Sequence, residues 1–105
     1  VDEEVMQQVY APLFPMIEQR YRETFARCET ELQRRRLAMF GDNLIQLHFA
    51  LRKARLIEDD GKSLFHRDEA AFAAFLKEME SGFSLYRDQR GIDRGPIWKG
   101  EYREP

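Results

Sequence analysis

Cysteine is nearly absent from this chain: Cys28 is the only one among 105 residues. That excludes an internal disulfide and any zinc site made from the cysteines of one chain. Lysine is scarce too, with only Lys53, Lys62, Lys77 and Lys99 beside many arginines, a bias to which no function attaches. Net charge is close to nil, at −2, so no global field draws the molecule to nucleic acid or to an anionic membrane. The charge-free apolar stretch from Asn43 to Leu51 falls far short of the ~20 residues that a membrane-crossing helix needs. Internal repeats and low-complexity tracts are missing. So are a glycine-rich phosphate loop, a nucleophile elbow and a His-Glu-x-x-His zinc helix. The opening Val1-Asp2-Glu3-Glu4 is acidic, unlike a signal or transit peptide. A cytoplasmic location is expected, for this chain alone or as the cytosolic part of a longer protein.

What is present is the material of one small domain. Apolar residues make up 43%, aromatics 12% and charged residues 34%, which supports a core rather than wholesale disorder. The pairs Val5/Met6, Val9/Tyr10 and Leu13/Phe14 recur every four residues and predict a short helix over about 3–11. Pro12 and Pro15 predict a break, with a new helix opening at Pro15 or Met16. That second helix, about 16–39, has a buried stripe of Ile17, Tyr21, Phe25, Cys28 and Leu32. The pairs Glu18–Arg22, Glu23–Arg27 and Glu31–Arg35 mark its solvated side. Gly41 predicts a stop and Asp42 a fresh N-cap, giving a third helix over about 43–57. The alternative joins helices two and three into one long bent helix. A last helix, about 69–90, is capped by Asp68 and stopped at Gly91, with a stripe of Phe72, Phe75, Leu76, Met79, Phe83 and Tyr86. The expected fold is all-α: a small bundle of three main helices plus the short N-terminal one. It forms a single domain over 1–92, followed by an irregular, extended tail over 93–105.

The third helix carries most of the functional reasoning. Its seam of Leu37, Phe40, Leu44, Leu47, Leu51 and Ala54 is joined on another side by Ile45, Phe49 and Leu56. A helix that is apolar on two sides is covered on two sides, as the central helix of the bundle or as a subunit contact. The function ranked first is therefore non-enzymatic: an interaction or regulatory module that forms a homodimer or binds another protein. Its interface candidates are Phe40, Leu44, Leu47, Phe49, Leu51 and, in the tail, Trp98. The second reading is a small-ligand or enzymatic bundle with a pocket near His48, with Tyr21 and Tyr86 as further inward polar groups. An open pocket with a second ionisable group in reach of His48 favours it. The residues three and four places from His48 are Leu44, Ile45, Leu51 and Arg52, none of them a metal ligand. His66 and Glu69 have the spacing of a shared helix face but read as local capping, and Cys28 reads as a small core residue. No catalytic, metal or cofactor-binding residue is assigned on this basis, and no cofactor is expected. The third reading is nucleic-acid binding through Arg34–Arg36 and Arg52–Arg55. Residues 34–55 hold six positive charges and one negative, but the two clusters fall at opposite ends of the third helix, so nucleic acid ranks last.

Overall fold

Asp2 opens the first helix by accepting the Glu4 amide on its carboxylate at 2.7 Å, a short-range N-cap. Helix α1 covers residues 3–27 and is joined from Glu3–Val5, a π turn over Met6–Tyr10, and Ala11–Arg27. The break expected at the two prolines does not occur. In a regular helix a proline ring collides with the carbonyl four residues back and forgoes one hydrogen bond. Here the ladder widens just before Pro12, where the Ala11 amide donates to the Met6 carbonyl. That i→i+5 turn relieves the clash, and α1 continues through Pro12 and Pro15. This computed structural model describes residues 2–82, 84 and 85, and every regular element among them is helical.

The chain breaks instead at Cys28-Glu29-Thr30. Thr30 Oγ1 accepts the Gln33 amide at 3.1 Å, and Gln33 Oε1 accepts the Thr30 and Glu29 amides at 3.2 and 2.7 Å. This reciprocal cap satisfies donors that a helix start leaves open, and it begins α2, Glu31–Lys53. α2 runs unbroken through Gly41, which corrects the expected division into helices over 16–39 and 43–57. The single bent helix fails as well, because α1 ends before Cys28. Leu32, expected in a buried stripe, lies 56% exposed on the first turn of α2.

α2 closes with the two hydrogen bonds of a Schellman stop. The Leu56 amide donates to the Leu51 carbonyl at 2.9 Å, and the Arg55 amide to the Arg52 carbonyl at 3.0 Å. The left-handed residue of the stop is Arg55 (φ 60°) rather than a glycine, a conformation that costs a side-chain-bearing residue about 1–2 kcal/mol. The chain then turns back over α1. Ser63 and Leu64 donate to the Glu18 carboxylate through hydroxyl and amide, at 2.5 and 3.0 Å. Asp68 caps the last helix by accepting the Ala71 amide at 2.7 Å. That helix, α3, is Glu69–Met79, shorter than the expected 69–90, and Gly82 follows it with φ 132°. Phe83, Tyr86, Gly91 and the tail over 93–105 lie outside the described residues.

The core gathers around Phe65, which has no exposed surface although it belongs to the irregular connection. Its ring meets Phe14 at 5.9 Å and Tyr21 at 5.2 Å, both edge to face. Leu44, Ile45 and Leu51 of α2 are buried in the same cluster. On another side of α2, Phe49 stacks on Phe72 of α3 with centroids 3.8 Å apart. Both apolar sides of α2 are thus covered by elements of its own chain, with Phe40 left 53% exposed. Asp42 does not start a helix. Its buried carboxylate accepts the Ser84 hydroxyl at 3.1 Å and the Leu85 amide at 3.0 Å, which fixes residues 84 and 85 against α2. Among the described residues, no helix is long and apolar enough to cross a membrane.

Candidate ligand-binding cleft

His48 stands on α2 one turn before Arg52, so the two side chains share a helix face. It is 2% exposed, and its ring packs on Phe14 with centroids 5.3 Å apart. Burial by itself makes protonation of this imidazole unfavourable. That effect lowers its pKa below the usual 6.5, helped by His66 and Arg52 and opposed by Asp59 and Glu18. His48 Nδ1 is buried without a hydrogen-bond partner among the described residues. His48 Nε2 lies 3.9 Å from Asp59 Oδ1, beyond hydrogen-bonding range. A buried polar atom with no partner is uncommon and asks for an explanation.

The turn after α2 supplies the neighbours. Asp59 Oδ1 accepts the Gly61 amide at 3.0 Å, an Asx turn helped by the left-handed Gly61 (φ 79°). Asp59 Oδ2 accepts His66 Nδ1 at 2.5 Å, with Arg52 Nε at 3.5 Å. Burial taken alone raises the Asp59 pKa. The Gly61 amide, the His66 hydrogen bond and the two imidazoles outweigh it, so Asp59 sits below the ordinary carboxylate value. An ionised carboxylate only accepts, so this bond puts the proton on His66 Nδ1 and leaves His66 Nε2 as the ring's open nitrogen. Arg52 is itself held, donating to the Arg67 carbonyl at 2.7 Å while its guanidinium lies over Phe49. The donor atoms of His48, Asp59 and His66 all fall within 4.8 Å of one another.

His48 and Asp59 border an open cleft of about 870 Å³, walled by α1 from Ala11 to Glu18 and by residues 56–63. Glu18, Glu58, Asp59 and Asp60 face it against a single Lys62. The volume is in the range of small-molecule sites, and the imbalance of charge favours a cation.

Of the pocket candidates read from sequence, His48 lines this cleft. Tyr21 is buried elsewhere in the core, 3% exposed, where burial, then Asp42 and Cys28, push its pKa well above the usual 10. Tyr86 and the interface candidate Trp98 lie outside the described residues. Of the other interface candidates, Leu44 and Leu51 are in the core, Leu47 and Phe49 are half-buried and Phe40 is exposed. Cys28 is buried, and burial raises its thiol pKa, with Arg34 opposing. His66 does not pair with Glu69, which meets Lys53 instead. The basic clusters are not continuous. Arg34 is fully buried, Arg52 is held by Asp59 and Arg67, and a helix rise of 1.5 Å per residue puts Arg34 and Arg55 about 30 Å apart. Asp59 and His66 are the residues that sequence reading missed as neighbours of His48. Periodicity cannot find partners on an irregular segment, and the one local signal was Asp59-Asp60-Gly61 as a tight turn. Set against known protein families, characterised proteins and solved structures, the chain matches none of them.

Proposed function

We propose that this chain is a helical domain that binds a small, positively charged ligand in the cleft beside His48. One observation carries the reading: a buried imidazole with an unpartnered nitrogen borders an open cleft faced by four carboxylates and one lysine. A carboxylate beside two imidazoles also allows proton transfer to or from a bound group, with Asp59 orienting His66. The test is a titration of the isotope-labelled chain at low salt, followed by amide correlation spectra, with putrescine as the cation and succinate as the anion of similar size. Putrescine is expected to shift amides at Glu18 and at residues 57–63, and Glu58→Gln with Asp60→Asn is expected to weaken that response. Silence at these amides, or a preference for succinate, overturns the reading.

Self-association is a second reading, favoured by one specific feature. Val5, Val9, Leu13 and Met16 form an exposed apolar stripe along α1, each between 39% and 48% exposed. It continues into a shallow apolar depression lined by Met16, Ile17, Leu37 and Phe40. A second copy offering the same stripe makes a two-fold contact. Native mass at tens of micromolar is expected to show a dimer that Leu13→Asp abolishes, and a monomer in the unaltered chain removes the reading.

A further inference from the structure

We infer that the cation taken by this cleft is a divalent transition-metal ion, held by His48, Asp59 and His66 with a coordination position open to the cleft. The inference rests on the cationic-ligand reading above and names its ligand. The chemistry of the donor set comes first. Two imidazoles and one carboxylate suit zinc, iron, cobalt or nickel, whereas magnesium and calcium take oxygen donors. Three protein ligands with a vacant fourth position are the pattern of sites where a metal meets a substrate.

Geometry is the second support. The 3.9 Å between His48 Nε2 and Asp59 Oδ1 is too long for a hydrogen bond. It is about 0.5 Å longer than the spacing of neighbouring ligands on one ion, so a small inward shift of the two side chains brings both atoms onto it. His66 Nδ1 sits at 2.5 Å from Asp59 Oδ2, closer than the ~3.0–3.4 Å that separates neighbouring ligands on one ion. Binding therefore moves His66 Nδ1 off Oδ2 and onto the metal, with the Nδ1 proton passing to Nε2 or to solvent, because a ligating imidazole nitrogen carries no proton. Arg52 Nε, 3.5 Å from the same oxygen, is placed to take the vacated acceptor, which orients the carboxylate as outer-shell partners do. The third support is His48 itself. Its ring is nine-tenths or more buried and packed on Phe14, which holds Nε2 toward Asp59; a metal bond at Nε2 leaves Nδ1, unpartnered among the described residues, to carry the ring's proton.

Charge does not oppose the ion. Arg52 offsets part of the Asp59 carboxylate. Glu18 faces the cleft nearby, but its oxygens are taken by Ser63, Leu64 and Arg22, so it gives the ion no bond and Arg22 offsets part of its field. Such a centre polarises a bound water or a carbonyl or phosphoryl oxygen in the cleft, the chemistry of metal-assisted hydrolysis.

The test uses the full chain, free of any affinity tag, titrated with Zn(II) and Co(II) by calorimetry, with Mg(II) as the hard-ion control. One ion per chain is expected, with ring-nitrogen shifts at both histidines, a Co(II) visible spectrum of low coordination number, and no heat from Mg(II). Loss of an outer-shell partner alone costs 10–100-fold in affinity, so Asp59→Asn and His66→Gln should each cost about 100-fold or more. His66 and Asp59 are only partly buried, and circular dichroism checks that these variants fold. Cys28→Ser is expected to bind as the unaltered chain does. The inference is overturned if Zn(II) and Co(II) bind no tighter than about 1 mM, or if the Asp59 and His66 variants bind undiminished. Putrescine shifts at the cleft without metal binding sink the metal and leave the cationic-ligand reading standing. Silence from both probes sinks both.

Discussion

Gly41→Ala separates two accounts of this glycine by sign. Helix propensity treats Gly41 as a weak point in α2, and alanine there should stabilise by about 1 kcal/mol. Its surroundings argue the opposite. A Cβ at position 41 meets Leu85 Cδ2 at 2.2 Å, the Tyr21 hydroxyl oxygen at 2.7 Å and Tyr21 Cε2 at 3.0 Å. Ordinary carbon contacts are about 3.5–4.0 Å. Neither neighbour has space to retreat: Leu85 has no exposed surface and Tyr21 is 3% exposed. Leu85 is also tethered through its amide to Asp42 at 3.0 Å. Overpacking of this kind typically costs about 1–3 kcal/mol, which outweighs the propensity gain and leaves a net loss near 1 kcal/mol. Urea unfolding measures it directly, and a midpoint temperature lower by about 4–8 °C is the thermal equivalent for a domain of this size. A double-mutant cycle with Leu85→Ala locates the cause. Removing Cδ2 should recover part of the loss, with a coupling of roughly 0.5 kcal/mol or more. If Gly41→Ala is as stable as the unaltered chain or more so, residues 84 and 85 do not pack where α2 leaves room for them.

Two further outcomes follow from the cleft and its supporting turn. In the metal-free protein, the depressed His48 pKa means that the unfolded chain takes up a proton before the folded one. Stability should therefore be flat above about pH 6.5 and fall as pH drops from there through the lowered folded value. Asp59 acts in the same direction lower on the scale: its contribution is complete above the ordinary 3.8 and is lost as pH falls through its depressed folded value. Urea midpoints across pH 5–7.5 test the first part, and a slope unchanged in His48→Gln refutes the role given to His48. At the end of α2, Arg55→Gly removes left-handed strain at φ 60° but frees the unfolded chain, for a net gain of roughly 0.5 kcal/mol. A clear loss of stability in that variant shows that the Arg55 side chain holds the turn by a contact stronger than its strain.

The two halves of this molecule were legible to different degrees, and the reason is distance along the chain. Tyr21, Phe25, Leu44, Leu51 and Phe75 repeat at helical spacing, and all are buried, because a helix with one apolar stripe has few ways to hide it. The helix boundaries were less legible although one was written locally: Thr30 and Gln33 spell a capping box, and a glycine eleven residues later drew the boundary away from it. Gly41 looked like a stop because its real neighbour, Leu85, is remote in sequence and nothing near Gly41 announces it. The site followed the same rule. His48 was readable as a pocket residue from its place beside the apolar seam, whereas Asp59 and His66 sit on a connection with no period.

Their meeting depends on two local events that sequence patterns do not mark: an arginine, rather than a glycine, in the left-handed position that turns the chain after α2, and the Glu18 carboxylate that accepts from Ser63 and Leu64. The first sends residues 56–66 back across α1 and the second holds them there. Phe65, seated without exposed surface between Phe14 and Tyr21, then anchors His66, the next residue in the chain. The placement of the three donor atoms is thus fixed by strain, a part-buried clamp and packing together. A chemistry-bearing cluster on a loop held this way is stiffer than its lack of secondary structure suggests, and that stiffness is what a selective ligand site needs.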